Sequence, residues 1–131
     1  MMHTGPREQL RRRLYLAAHQ EVSALIAELP RPIRERTRHV AILYEMKPGP
    51  VEIKDGIAND TLGLFSGESM ADEIGSHGGR PTEITLFMEN IWDYAGHDAA
   101  TYREEVRRTY LHELGHYLGL DEDALVDRDL D

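Results

Sequence analysis

The chain holds 131 residues, with 15 Lys+Arg against 24 Asp+Glu and no cysteine. A chain of this size buries roughly two-thirds of its unfolded surface around a single interior, so one domain is expected. The 40% of hydrophobic residues supply that core, and the lack of cysteine excludes disulfides, iron–sulfur clusters, thiolate zinc fingers and a cysteine nucleophile.

Any metal must therefore sit on histidine and carboxylate. The formal charge of −9 argues against nucleic-acid binding, which needs a positive footprint. The N-terminus has no sustained apolar segment, and no apolar run approaches the ~18 residues of a membrane span. A soluble, cytoplasmic protein without nucleic-acid or membrane partners is expected. The charge is uneven: residues 1–60 hold 10 basic and 8 acidic side chains, residues 61–131 hold 5 and 16. The ordinary account of the acidic end DEDALVDRDLD is a solvated tail.

In chain order, Leu10, Leu14, Leu16, Ala17, Ala18, Val22, Leu25, Ile26 and Leu29 recur mostly at three and four, which predicts a helix from Pro6 to Leu29. Pro30 and Pro32 end it. Three β-rich stretches follow, His39 to Glu45, Thr61 to Ser66 and Glu83 to Met88, separated by KPGPVEIKDGIAND and GESMADEIGSHGGRP, which read as loops. Ile91, Trp92 and Tyr94 suit a helical turn. A long second helix is predicted from Asp98, a good N-cap, to Gly119, a good terminator. The fold class is α+β: an N-terminal helix, a short sheet of three to four strands, and a C-terminal helix packed on the sheet. The domain is expected to span residues 1–131, with 1–6 and 127–131 as flexible ends.

The second helix contains His112-Glu113-Leu114-Gly115-His116. At ~100° per residue, positions 112 and 116 lie one turn apart on the same face, so both imidazoles can reach one ion. Zinc accepts this arrangement, binding neutral imidazole at ~2.0–2.1 Å without a strong geometric preference. Glu113 is rotated from the histidines by ~60–100°, beside the ion rather than on it, where a carboxylate can take a proton from water. Gly119 can turn the chain back in the left-handed conformation, which brings the residue three further on toward the same ion. Three consecutive acids, Asp121, Glu122 and Asp123, compete for that place. Val106, Tyr110, Leu114, Tyr117 and Leu118 form an apolar arc next to the His/Glu edge, so the histidines should border a cleft.

The pattern His112, Glu113, His116, Gly119, Glu122 resembles the zincin metallopeptidases, most closely the small bacterial minimal zincins, in which Asp or Glu replaces the third histidine of the metzincin signature. The likeness covers roughly residues 20–126, and REEVRRTYLHELGHYLGLDEDAL is its most specific segment. It implies a small α+β domain with a bound Zn2+, held by His112, His116 and, on the +10 spacing of the metzincin third ligand, Glu122. Glu113 would be the general base and proton shuttle of a peptide-bond hydrolase. In larger zincins an edge strand before the motif helix pairs with extended substrate, and Thr82 to Met88 is the strand expected to hold a peptide or protein substrate that way. Tyr117, His77 and Arg80 are candidate oxyanion donors, with packing the leading role for Tyr117. His3, His19, His39 and His97 have no spacing relation to the motif. The rival reading is a zinc-stabilised interaction module without turnover; Glu113 favours the enzyme, because a structural site needs no base.

Overall fold

Prolines and glycines punctuate the chain where its helices begin and end. The computed structural model describes residues 5–74 and 81–120, so His77, Arg80, Glu122, Asp121, Asp123 and the extreme ends lie outside the described residues. Helix α1 (Pro6–Glu28) opens on a proline, whose missing N–H is no loss in a first turn. Its buried face is Leu14, Ala18, Val22 and Leu25. Leu16 is exposed, because it lies roughly 200° around the helix from Leu14. Pro30 and Pro32 do end α1, but they also start α2 (Arg31–Arg36), as its N-cap and within its first turn.

Strand β1 (Ala41–Glu45) leads to α3 (Pro50–Lys54), β2 (Gly63–Ser66), α4 (Met70–Ile74), β3 (Glu83–Phe87), α5 (Met88–Tyr94) and α6 (Ala99–Leu118). Among the described residues, the two connections expected as loops thus each carry one short helix. Both starts are local: Pro50 follows Gly49 at the head of α3, and the Ser69 hydroxyl accepts from the Asp72 N–H at the head of α4. Five-residue helices are too short to show an apolar period, which is why the composition reads as loop.

The sheet is mixed, in the order β1-β3-β2. β1 runs parallel to β3, from Ala41 opposite Glu83 to Glu45 opposite Phe87. β2 runs antiparallel to β3, from Gly63 opposite Leu86 to Ser66 opposite Glu83. The strand at 82–88, expected as the substrate-pairing edge, is therefore the central strand, with both of its sides paired. Its ITLF run is buried throughout, as suits a strand covered on both faces. Among the described residues the edges of this sheet are β1 and β2.

α5 follows β3 without a break, and α1 and α6 pack together across the core. Ile84, Leu86, Met88 and Ile91 meet Val106, Tyr110 and Leu114 of α6 there, with less than 3% of each exposed. The Tyr102 hydroxyl donates to the Leu14 carbonyl at 2.9 Å, which ties α6 to α1. No helix among the described residues is long and apolar enough to cross a membrane.

Candidate metal centre

α6 is bounded by residues suited to its two ends. The Asp98 carboxylate accepts from the Thr101 N–H at 2.9 Å and satisfies one of the four orphan donors of the first turn. At the other end Gly119 takes the left-handed conformation, φ 75°, and its N–H and that of Leu120 return to carbonyls of the last turn. Of the predicted apolar arc, Val106, Tyr110, Leu114 and Tyr117 are buried and Leu118 is only half-buried; Tyr102, outside that arc, is buried too.

On the flank of that arc the motif is assembled. His112, Glu113 and His116 bring their ligand atoms within 4.8 Å of one another. The two imidazole centroids are 4.5 Å apart and nearly perpendicular. Glu113 is buried, whereas His116 has half of its side chain exposed. His116 Nδ1 stands 3.2 Å from Glu113 Oε1, which leaves Nε2 as the nitrogen directed away from the carboxylate. Two imidazoles on one helical face, with a carboxylate at their base, are a donor set that fits a zinc ion. A carboxylate beside a ligand imidazole also serves to orient it.

The residue opposite Glu113 is Gly63. A Cβ there would come within 2.6 Å of Thr109 Cγ2 and 3.2 Å of Glu113 Cγ, so only glycine lets β2 and α6 approach this closely. Glu113 owes its burial to that approach. Asn90, itself buried, secures the entry to β2 by donating to the Asn59 and Thr61 carbonyls at 2.8 and 2.9 Å. Leu62, Gly63, Tyr94, Glu105, Arg108, Thr109, His112 and Glu113 enclose a cleft of about 260 Å³. It is large enough for one amino-acid side chain and opens beside His112 and Glu113.

A second polar cluster lies behind the last turn of α6. The Tyr117 hydroxyl donates a very short hydrogen bond to Glu73 Oε1 and lies 3.1 Å from His39 Nε2. Glu73 Oε2 meets His39 Nε2 at 2.9 Å and accepts from the Thr82 hydroxyl at 3.0 Å. Desolvation opposes ionisation of Glu73, but hydrogen bonds from Tyr117, His39 and Thr82 outweigh it and hold the carboxyl below its usual range. Burial, followed by the hydrogen bond and charge of Glu73, raises the Tyr117 phenol.

The structure thus unites His112, Glu113 and His116. Tyr117 is not aimed at the cleft as an oxyanion donor; its hydroxyl is engaged by Glu73, and its ring packs on Phe65 and His39. His39, which has no sequence relation to the motif, joins the cluster through the parallel crossover that places β1 beside β3. The sequence signal for Gly63 is a lone glycine inside the strand-like TLGLFS run, which marks a close backbone approach. No curated protein matches the chain. A family model described as zincin-like metallopeptidase matches residues 37–130, which takes in the whole sheet, the cleft and the motif helix. With most of its length in that match, the chain belongs to the zincin-like metallopeptidases.

Proposed function

We propose that the protein is a zinc-dependent peptidase in which His112 and His116 hold the ion, Glu122 completes the ligand set and Glu113 is the general base. The observation that carries this reading is the burial of Glu113 beside His116 at the mouth of an open cleft. A carboxylate at the mouth of a cleft is placed to take a proton from water as well as to orient His116, which favours the enzyme over an interaction module without turnover. Zinc bound at such a site lowers the pKa of water toward ~7 and polarises a carbonyl.

Glu113 takes the proton of the attacking water and returns it to the leaving amine. Its buried position keeps that carboxylate in one orientation for both transfers. β2 is the strand edge beside the motif helix, so the peptide substrate pairs with β2 rather than with 82–88, by main-chain hydrogen bonds along its outer side. The cleft between Leu62, Tyr94 and Thr109 then takes a substrate side chain next to the bond that is cut.

The test has two stages. Purified protein freed of chelators should carry about one zinc, and adding zinc to stripped protein should raise its Tm. A mixed peptide library should be cleaved by the wild type and not by Glu113→Ala. Cleavage that persists unaltered in Glu113→Ala means a contaminant and ends the proposal. Glu122→Ala, compared with Asp121→Ala and Asp123→Ala, assigns the third ligand by which variant loses zinc affinity.

A further inference from the structure

The geometry points to Tyr117 as a positioning residue for the metal centre, anchored by its hydroxyl to Glu73 and His39 so that the last turn of α6 holds His116 in place. This inference rests on the proposed zinc site and concerns how that site is built.

The last turn of a helix lacks intrahelical partners for its carbonyls and opens readily unless tertiary contacts hold it. Here that turn carries His116, whose side chain is half exposed and gains little from its own packing. Tyr117 is the next residue, with 1% of its surface exposed. It stands four residues after Glu113 and two before the left-handed Gly119. Successive side chains on a helix are separated by ~100°, so fixing the azimuth of Tyr117 fixes that of His116 and the direction in which the chain leaves at Gly119.

The anchor is built from four other parts of the fold. The Tyr117 ring sits between Phe65 of β2, with centroids 6.0 Å apart, and His39 just before β1, at 5.7 Å. Its hydroxyl meets Glu73 of α4. The other oxygen of Glu73 is held by His39 and by Thr82 at the entrance to β3. One carboxylate therefore ties the end of the motif helix to α4 and to the segments that lead into two strands. Tyr117 adjoins His116 in the last turn, so the cluster acts on His116 through the backbone of α6.

Tyr102 provides a matched control. It lies in the same helix, is equally buried and makes one hydrogen bond, to the Leu14 carbonyl, at the end of α6 far from the motif. The experiment measures zinc affinity by chelator competition, the visible spectrum of the cobalt-substituted protein, and Tm without metal, for the wild type, Tyr117→Phe, Glu73→Gln and Tyr102→Phe. Tyr117→Phe and Glu73→Gln should weaken zinc binding on the order of tenfold, the low end of what outer-shell changes cause, and should shift the cobalt band. Tyr102→Phe should lower Tm while leaving zinc affinity and the band at wild-type values. Wild-type zinc affinity in both Tyr117→Phe and Glu73→Gln overturns the inference, as does an equal loss in Tyr102→Phe, which would make the effect one of general stability. If Tyr117→Phe does not fold, Glu73→Gln decides alone by the same criterion. A wild type that binds no zinc refutes the proposed function and this inference with it; a wild type that binds zinc with unaltered variants refutes the inference only.

Discussion

Gly63 of β2 and Glu113 of α6 are in such close apposition that a Cβ on residue 63 would stand 3.2 Å from Glu113 Cγ, and closer still, 2.6 Å, to Thr109 Cγ2. Glu113, the proposed general base, is thus positioned by the absence of a side chain across from it. Gly63→Ala should push β2 and α6 apart, with a cost of about 1–3 kcal/mol as for other overpacked sites. It should also loosen Glu113. The check is a thermal melt combined with zinc affinity: Gly63→Ala should lower Tm by several degrees and weaken zinc binding, and wild-type values for both would show that the contact is easily relieved.

Glu113→Gln keeps the size of the side chain and removes its basicity. Peptide hydrolysis should fall by about 10²–10⁴-fold, the range for loss of a general base, while the protein still binds one zinc. Rates of library cleavage and zinc content, measured on the same preparation, test this. Loss of zinc in parallel with activity would instead make Glu113 a ligand.

Gly119 poses the opposite problem to Gly63. Among the described residues nothing lies within 4 Å of a Cβ built there, but its φ of 75° belongs to the left-handed region. Gly119→Ala should therefore cost about 1 kcal/mol through backbone torsion alone. Gly119→Asn should recover part of that, since Asn tolerates this conformation at helix ends. Chemical denaturation of the three proteins gives the order; equal losses in the Ala and Asn variants would contradict a torsional origin.

The hydrogen bonds that Glu73 receives from Tyr117, His39 and Thr82 outweigh its desolvation and hold its carboxyl below the usual 4.5. A depressed folded-state pKa contributes stability that is complete above the unfolded value and disappears as pH falls through the folded one. The wild type should therefore exceed Glu73→Gln in stability at neutral pH, and the gap should narrow as the pH drops below about 4.5. The groups facing Glu73 are His39 ahead of β1, Tyr117 on α6 and Thr82 ahead of β3. Denaturation midpoints of both proteins between pH 3 and pH 7 measure the gap, and a gap independent of pH would rule out ionisation of Glu73 as its source.

What could be read from the chain alone was what depends on short-range periodicity. α1 and α6 follow from apolar spacings of three and four with their proline, aspartate and glycine boundaries. The meeting of His112, Glu113 and His116 follows because one turn of helix brings residues four apart onto one face. The short helices α2, α3 and α4 are invisible for the converse reason, since their five or six residues do not complete two turns and so cannot repeat the apolar period.

Sheet order, by contrast, was decided only in three dimensions. β1 and β3 pair in parallel across a crossover that contains β2, so 82–88 became the centre of the sheet and β2 its edge beside the motif. No local pattern specifies such a pairing, because it depends on which arrangement buries the ITLF run on both faces. The same crossover carries His39, Glu73 and Thr82 to Tyr117, and brings Gly63 against Glu113. The His112, Glu113, His116 pattern was therefore legible in one helix, while the burial of Glu113, the cleft beside it and the cluster around Tyr117 depend on strands and loops that only long-range burial of apolar surface brings to that helix.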